Sequence, residues 1–107
     1  MNNFFGSIFI NRDKLREVGI DYPIKIEYYK VTNELMYGVK VIKTEYRDKI
    51  GVEHEEITQI TNNEPEINNI LSIIKQNEVT PVGLKDLIVE IKKMQGLAKN
   101  KKISYNT

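Results

Sequence analysis

From residue 24 onward the hydropathy pattern of the chain changes its period once, and this change constrains the fold more than any other feature. At residues 24–32, in the run IKIEYYKVT, apolar and polar residues alternate. A period of two residues is typical of a β-strand with one buried face. After Glu66 the apolar residues recur instead at three- and four-residue spacing, which is the period of an amphipathic helix. The pattern predicts strands first and helices after them.

Three antiparallel strands are predicted. A turn at Asn33-Glu34 separates the first strand from a second alternating run at residues 35–46, so these two strands form a hairpin. Another turn leads to a third strand at residues 52–60. The apolar phase of the third strand breaks in the middle, and a bulge at residues 54–56 would restore it.

Two amphipathic helices are predicted after the strands. The first has Asn63 as its cap, Pro65 in its first turn and Asn77 at its end, and the second runs from Thr80-Pro81 to Gly96. Each helix has one stripe of apolar residues along its length. The stripe consists of Ile67, Ile70, Leu71 and Ile74 in the first helix and of Leu84, Leu87, Ile88, Ile91 and Met94 in the second. Because neither helix can bury its own stripe, we expect both to pack on one face of the sheet.

The N-terminal region adds two shorter features. Asn11 as a cap and Gly19 as a stop predict a helix of at most two turns at residues 11–18. The aromatic segment at residues 4–9 either covers the second face of the sheet, or contributes a fourth strand, or leaves that face open. The expected fold class is α+β, with an antiparallel meander of three to four strands followed by two helices on one face.

Length and composition favour one folded domain. The chain has 107 residues, of which 40% are hydrophobic and 29% charged, with a net charge of +1 and no cysteine. We expect a single domain at residues 1–95 and a basic, disordered C-terminal tail at residues 96–107. The apolar run at residues 4–10 is too short for a secretory signal or a membrane span. A cytoplasmic protein without a membrane partner is therefore expected.

The residue types needed for catalysis are scarce. The chain has a single histidine, His54, and its serines lie outside any Gly-x-Ser-x-Gly turn. His54 and Glu56 would share one face of a strand, but two ligands do not make a metal site. No glycine-rich phosphate loop is present. We therefore predict a protein that is not an enzyme, with no catalytic residues, cofactor or metal. Gly38, inside a strand, indicates either relief of register strain or a close approach of another backbone.

Two surfaces remain as candidate binding sites. Tyr28 and Tyr29 point to opposite sides of a strand, so one sheet face should keep an aromatic surface, formed by Tyr29, Val31, Ile42 and Tyr46. This surface predicts a protein–protein interaction or regulatory module that binds an unidentified protein partner or forms a homo-oligomer. The alternative is a nucleic-acid-binding accessory protein that uses a basic cluster at the C-terminus. The cluster consists of Lys92, Lys93, Lys99, Lys101 and Lys102.

Several of these motifs also occur together in a known group of proteins. They are Tyr37-Gly38-Val39 in a strand, an acidic third strand, a helix, and the run at residues 77–81 (NEVTP) leading into residues 84–87 (LKDL). Over residues 24–91 the chain resembles a family of short proteins of clostridia and other Firmicutes, known only as a domain of unknown function. The resemblance implies no activity, cofactor or catalytic residue.

Overall fold

The protein folds as a four-stranded antiparallel sheet with helices on one side, as seen in a computed structural model that describes the backbone of residues 1–105 and the side chains of residues 1–95. The strands are β1 (Asn2–Ile10), β2 (Ile24–Asn33), β3 (Met36–Glu45) and β4 (Gly51–Thr61). The helices are α1 (Arg12–Leu15), which continues as a 3-10 turn over Arg16–Val18, then α2 (Glu64–Gln76) and α3 (Pro81–Tyr105). The predicted α+β class is confirmed.

The sheet is a meander with the strand order β1-β2-β3-β4. Each strand pairs antiparallel with its neighbour in the chain. The N-terminal aromatic segment therefore forms a fourth strand at the edge of the sheet, which was one of the alternatives that the sequence left open. The connection from β1 to β2 contains the predicted short helix, since the Asn11 side chain accepts a hydrogen bond from the Lys14 amide and Gly19 adopts a left-handed φ of 82°.

The β2–β3 hairpin turns one residue later than predicted. Asn33 pairs with Met36, so Glu34 and Leu35 form a two-residue loop. Glu34 has a φ of 57°, a conformation that favoured two-residue hairpin loops require and that non-glycine residues adopt less often. The two strands nevertheless form the predicted hairpin.

The irregularity in β4 is present but lies elsewhere than predicted. The expected bulge at residues 54–56 is wrong, because β4 pairs regularly with β3 from Gly51 to Ile57. The register shifts between Val39 and Tyr37 instead, and Gln59 adopts a φ of 55° in the unpaired stretch. The shift allows Ile57 to pack against the core and Ile60 to enter it. A Cβ atom at Gly38 would collide with the Ile57 carbonyl oxygen. The absence of a side chain at Gly38 therefore allows the β4 backbone to approach β3 closely.

The core lies between the sheet and the helices α2 and α3. All four stripe residues predicted for α2 are buried, together with Leu84 and Ile88 of α3, while Leu87 and Ile91 pack at its margin. Met94 does not belong to the core, because its side chain is 65% exposed. It lies one turn beyond Ile91, at the margin of the contact with the sheet. The α3 backbone continues past Gly96, where the sequence predicted its end.

One polar contact caps α2, and another ties the connection between α2 and α3 to the sheet. The Asn63 side chain accepts a hydrogen bond of 2.9 Å from the Glu66 amide and so caps α2, as predicted. The buried Tyr28 hydroxyl donates a hydrogen bond of 2.9 Å to the Val79 carbonyl oxygen, in the connection between α2 and α3. Burial raises the pKa of the Tyr28 phenol well above its ordinary value.

Candidate functional site: the open face of the sheet

The sheet surface opposite α2 and α3, here called the open face, gathers apolar and aromatic side chains. Strand alternation places Tyr28 under the helices and Tyr29 on the open face, as the sequence predicted. The register across the four strands gives the face its apolar members. They are Phe4 and Phe9 of β1, Tyr29 and Val31 of β2, Ile42 of β3, Tyr46 after β3, and Val52 of β4.

The four residues predicted as a partner surface share this face but differ in accessibility. Tyr46 is exposed, whereas Tyr29 and Ile42 are half-buried. Val31 is only 5% exposed, between Asn2 of β1 and Gly38 of β3 in the register. Val31 therefore forms part of the floor of the face, and the other three residues are the ones that a bound protein could contact.

Phe4 and Phe9 extend the open face instead of covering it, and the sequence did not assign them to it. The Phe4 ring packs edge-on against Tyr29 with centroids 5.6 Å apart, and the Phe9 ring lies 6.4 Å from the Tyr46 ring. Both phenylalanines remain about 60% exposed. In a regular strand, Phe4 and Phe9 would point to opposite faces. The bulge at Phe5 shifts the alternation so that Phe4, Ser7 and Phe9 share one face, and the sequence alone did not reveal this bulge.

The charges on the open face balance one another. The face carries two lysines, Lys25 and Lys40, and two glutamates, Glu27 and Glu56. Lys40 of β3 pairs directly with Glu56 of β4 in the register. The Tyr29 hydroxyl donates a 3.0 Å hydrogen bond to a Glu27 carboxylate oxygen. This hydrogen bond is the main reason why the pKa of Tyr29 is raised. The face is thus aromatic and neutral overall, and it does not attract ions of one sign.

The acidic strand β4 forms no cluster of the kind that binds a metal. His54 and Glu56 do share the open face, as the strand spacing predicted. Within residues 1–95, whose side chains the structure describes, no three histidine, aspartate or glutamate side chains lie close enough to hold an ion. His54 and its acidic neighbours are exposed.

A polar contact joins β4, α2 and α3 at one end of the sheet. The Thr61 hydroxyl donates a 2.9 Å hydrogen bond to Glu66, and the Lys92 ammonium lies 3.6 Å from the other Glu66 carboxylate oxygen. The hydrogen bond from Thr61 contributes most to lowering the pKa of Glu66, with Gln95 and Lys92 adding to it. An open groove of about 630 Å³ runs past these residues.

The predicted basic cluster is only partly within the described side chains. Lys92 is engaged with Glu66, and Lys93 is exposed. Lys99, Lys101 and Lys102 lie outside the described side chains, as does the rest of the proposed tail at residues 96–107. Nucleic-acid binding and the domain boundary after residue 95 therefore stay predictions of the sequence. Over the part of the chain that the structure describes, neither long helix carries an apolar stretch that could cross a lipid bilayer.

Comparison with known proteins places the chain in a family. No curated protein and no solved structure matches it. The sequence model of a family of unknown function, DUF6514, matches residues 1–94. The match includes β1 and so extends beyond the resemblance at residues 24–91, while an origin in clostridia or other Firmicutes stays a prediction. Since this match covers most of its length, the chain belongs to the family of unknown function DUF6514.

Proposed function

We propose that the protein is a protein-binding module whose contact surface is the open face of the sheet. One observation carries the proposal. Two pairs of aromatic rings, Phe4 with Tyr29 and Phe9 with Tyr46, lie on the side of the sheet opposite the helices and keep much of their surface in contact with water. Exposed aromatic surface of this kind is enriched in protein interfaces.

The size of the face supports the same proposal. Four strands of about ten residues span about 33 Å by 19 Å, or about 600 Å² of flat area. A standard interface buries about 800 Å² on each partner. The open face thus accounts for most of such an interface without the help of the helices.

The charge pattern indicates the chemistry of the partner. Lys25 and Lys40 balance Glu27 and Glu56, so the face does not favour a polyanion such as nucleic acid. It fits a flat protein surface with an apolar centre and a few charges of both signs at its rim. The face is held by a packed core on its other side, so little ordering entropy is lost on binding.

A crosslinking experiment in the source cells tests the proposal. Tyr46 or Val52 is replaced by the photoreactive residue p-benzoylphenylalanine, and Val82, which is 81% exposed on α3, serves as the matched control position. We expect both open-face positions to capture the same protein and Val82 to capture none of it. A second change, Ile42→Lys, should lower the capture at least tenfold, because a charge in the centre of the interface costs more than about 1.4 kcal/mol.

Three results would contradict the proposal. They are the absence of any captured protein at the two open-face positions, equal capture from Val82, and unchanged capture in the Ile42→Lys variant. The variant must first be shown to fold, by circular dichroism and thermal unfolding. Ile42→Thr, which keeps a β-branched side chain in β3, serves as a milder second variant if the lysine change unfolds the chain.

A further inference from the structure

The two edges of the sheet differ in a way that bears on assembly. β1 lies at one edge and β4 at the other, and each pairs on one side only. An edge strand presents unpaired backbone donors and acceptors, and proteins usually protect such an edge with charges, prolines or bulges.

The β4 edge is protected and most of the β1 edge is not. β4 carries Glu53, Glu55 and Glu56, and its pairing with β3 is interrupted next to Gln59. The nine residues of β1, NNFFGSIFI, include no charged residue and no proline. A bulge at Phe5 interrupts β1 near its start, but residues 6–10 pair with β2 without a break.

We propose that residues 6–10 of β1 pair antiparallel with the same residues of a second copy of this chain. A two-fold axis through Ile8, normal to the sheet, places Ile8 opposite Ile8 of the partner and Ser7 opposite the partner's Phe9. The product is a continuous eight-stranded sheet with all the helices on one side. The open faces of the two copies then form one continuous surface that is twice as wide across the strands.

Side chains on both surfaces of β1 fit this arrangement. On the open face, Phe9 is 63% exposed and Ser7 is also exposed, so each gains a cross-strand neighbour. On the helix side, a groove of about 390 Å³ runs between β1 and α2, lined by Phe5, Ile8 and three α2 residues. Among those three, Lys75 lays the end of its side chain, from Cδ to the ammonium, over Gly6.

The chain's own β1 is the occupant that the composition favours. Each of the other three strands contains charged residues, for example Lys25, Lys40 and Glu53. Pairing β1 with β4 of another copy would place three glutamates along an apolar strand and would build an open filament, because the contact is not self-complementary. Pairing β1 with itself brings no charged strand residue into the seam and closes after two copies.

Light scattering after size exclusion tests the assembly across micromolar to millimolar concentrations. We expect the wild-type chain to shift from monomer to dimer as its concentration rises. The double variant Ser7→Lys/Phe9→Lys should remain monomeric, since it sets like charges opposite each other twice at the seam. The control Val52→Lys/His54→Lys adds lysines at exposed positions of the β4 edge and should dimerise like the wild type.

Cysteine crosslinking tests the register independently of the lysine variants. The chain has no cysteine of its own, so Ser7→Cys/Phe9→Cys is expected to form a disulfide-linked dimer on oxidation, while Val52→Cys/His54→Cys is expected to remain monomeric. A wild-type chain that is monomeric at every concentration would overturn the proposal. So would a dimer that persists in the lysine double variant, oligomers that grow without limit, or equal crosslinking from both edges.

The inference can fail while the proposed function stands, and the reverse also holds. Ile42→Lys changes the open face two strands away from β1, so it should lower partner capture at least tenfold and leave the dimer intact. The Ser7→Lys/Phe9→Lys variant should abolish the dimer. Loss of the dimer in the Ile42→Lys variant would show that copies associate through their open faces, which contradicts pairing through β1.

Discussion

Replacing Gly38 with alanine should destabilise the protein through one defined contact. A Cβ atom at this position would collide with the Ile57 carbonyl oxygen and lie only 2.8 Å from the Thr58 Cα atom. Ordinary carbon contacts require about 3.5–4.0 Å. Both opposing atoms belong to the β4 backbone, so a side-chain rotation cannot relieve the clash. The strand β4 must move away from β3 by about 1 Å next to the bulge.

The expected cost follows from the size of that movement. Overpacking of a tightly packed site costs about 1–3 kcal/mol, and each ladder hydrogen bond that weakens adds up to about 1 kcal/mol. The lower entropy of alanine in the unfolded chain offsets about 0.5–1 kcal/mol. The middle of these ranges gives a net loss of about 2 kcal/mol in the free energy of unfolding for Gly38→Ala.

Gly83 provides the matched control for this measurement. It lies in the first turn of α3, and a Cβ atom there would meet nothing within 4 Å. Gly83→Ala should therefore raise the free energy of unfolding by up to about 1 kcal/mol, the helix propensity difference. Urea titrations followed by circular dichroism measure both variants. If Gly38→Ala unfolds at the same urea concentration as the wild type, the close approach of β4 to β3 is wrong.

Three further changes test polar contacts made by the helices and by the connection between them. Tyr28→Phe should lower the free energy of unfolding by about 1–2 kcal/mol, because it removes the hydrogen bond to the Val79 carbonyl oxygen; an unchanged urea midpoint would contradict that bond. The pKa of Glu66 is lowered in the folded state, chiefly by the hydrogen bond from Thr61. The resulting stabilisation is present above the ordinary value of 4.5 and is lost as the pH falls through the lower folded value. Urea midpoints of the wild type and Glu66→Gln should therefore differ near neutral pH and converge in acid, and a constant difference would refute the assignment. Asn63→Ala should cost about 1 kcal/mol through loss of the α2 cap, whereas Asn63→Asp should keep most of the stability in the same titration.

The helices were predictable from sequence because their signals are local. The cap at Asn63 and the stripe from Ile67 to Ile74 each depend on residues within a few turns, and the structure confirms both. Met94 continues the α3 stripe by spacing but lies one turn beyond the last residue that packs against the core. The spacing of a stripe does not indicate how far the sheet extends beneath a helix.

The details of the sheet were less predictable because they depend on pairing between strands. The broken phase of β4 indicated a bulge, yet only the close approach at Gly38 fixes its place near Gln59. The alternation in β1 is likewise interrupted by the bulge at Phe5, so its sequence could not show which phenylalanines reach the open face. Tyr29, Ile42 and Tyr46 were assigned correctly to one face, because β2 and β3 pair without interruption.

The agreement between strand order and chain order has a consequence for how the protein folds. Every strand pairs with its chain neighbour, so each new ladder closes only a short loop and costs little chain entropy. The β2–β3 hairpin closes a loop of only two residues, Glu34 and Leu35. Its formation therefore costs the least chain entropy, and we expect folding to start there. Sheets whose partners are near in sequence fold faster than Greek-key sheets of equal size. The first strand, β1, can join or leave this sheet without breaking any other ladder.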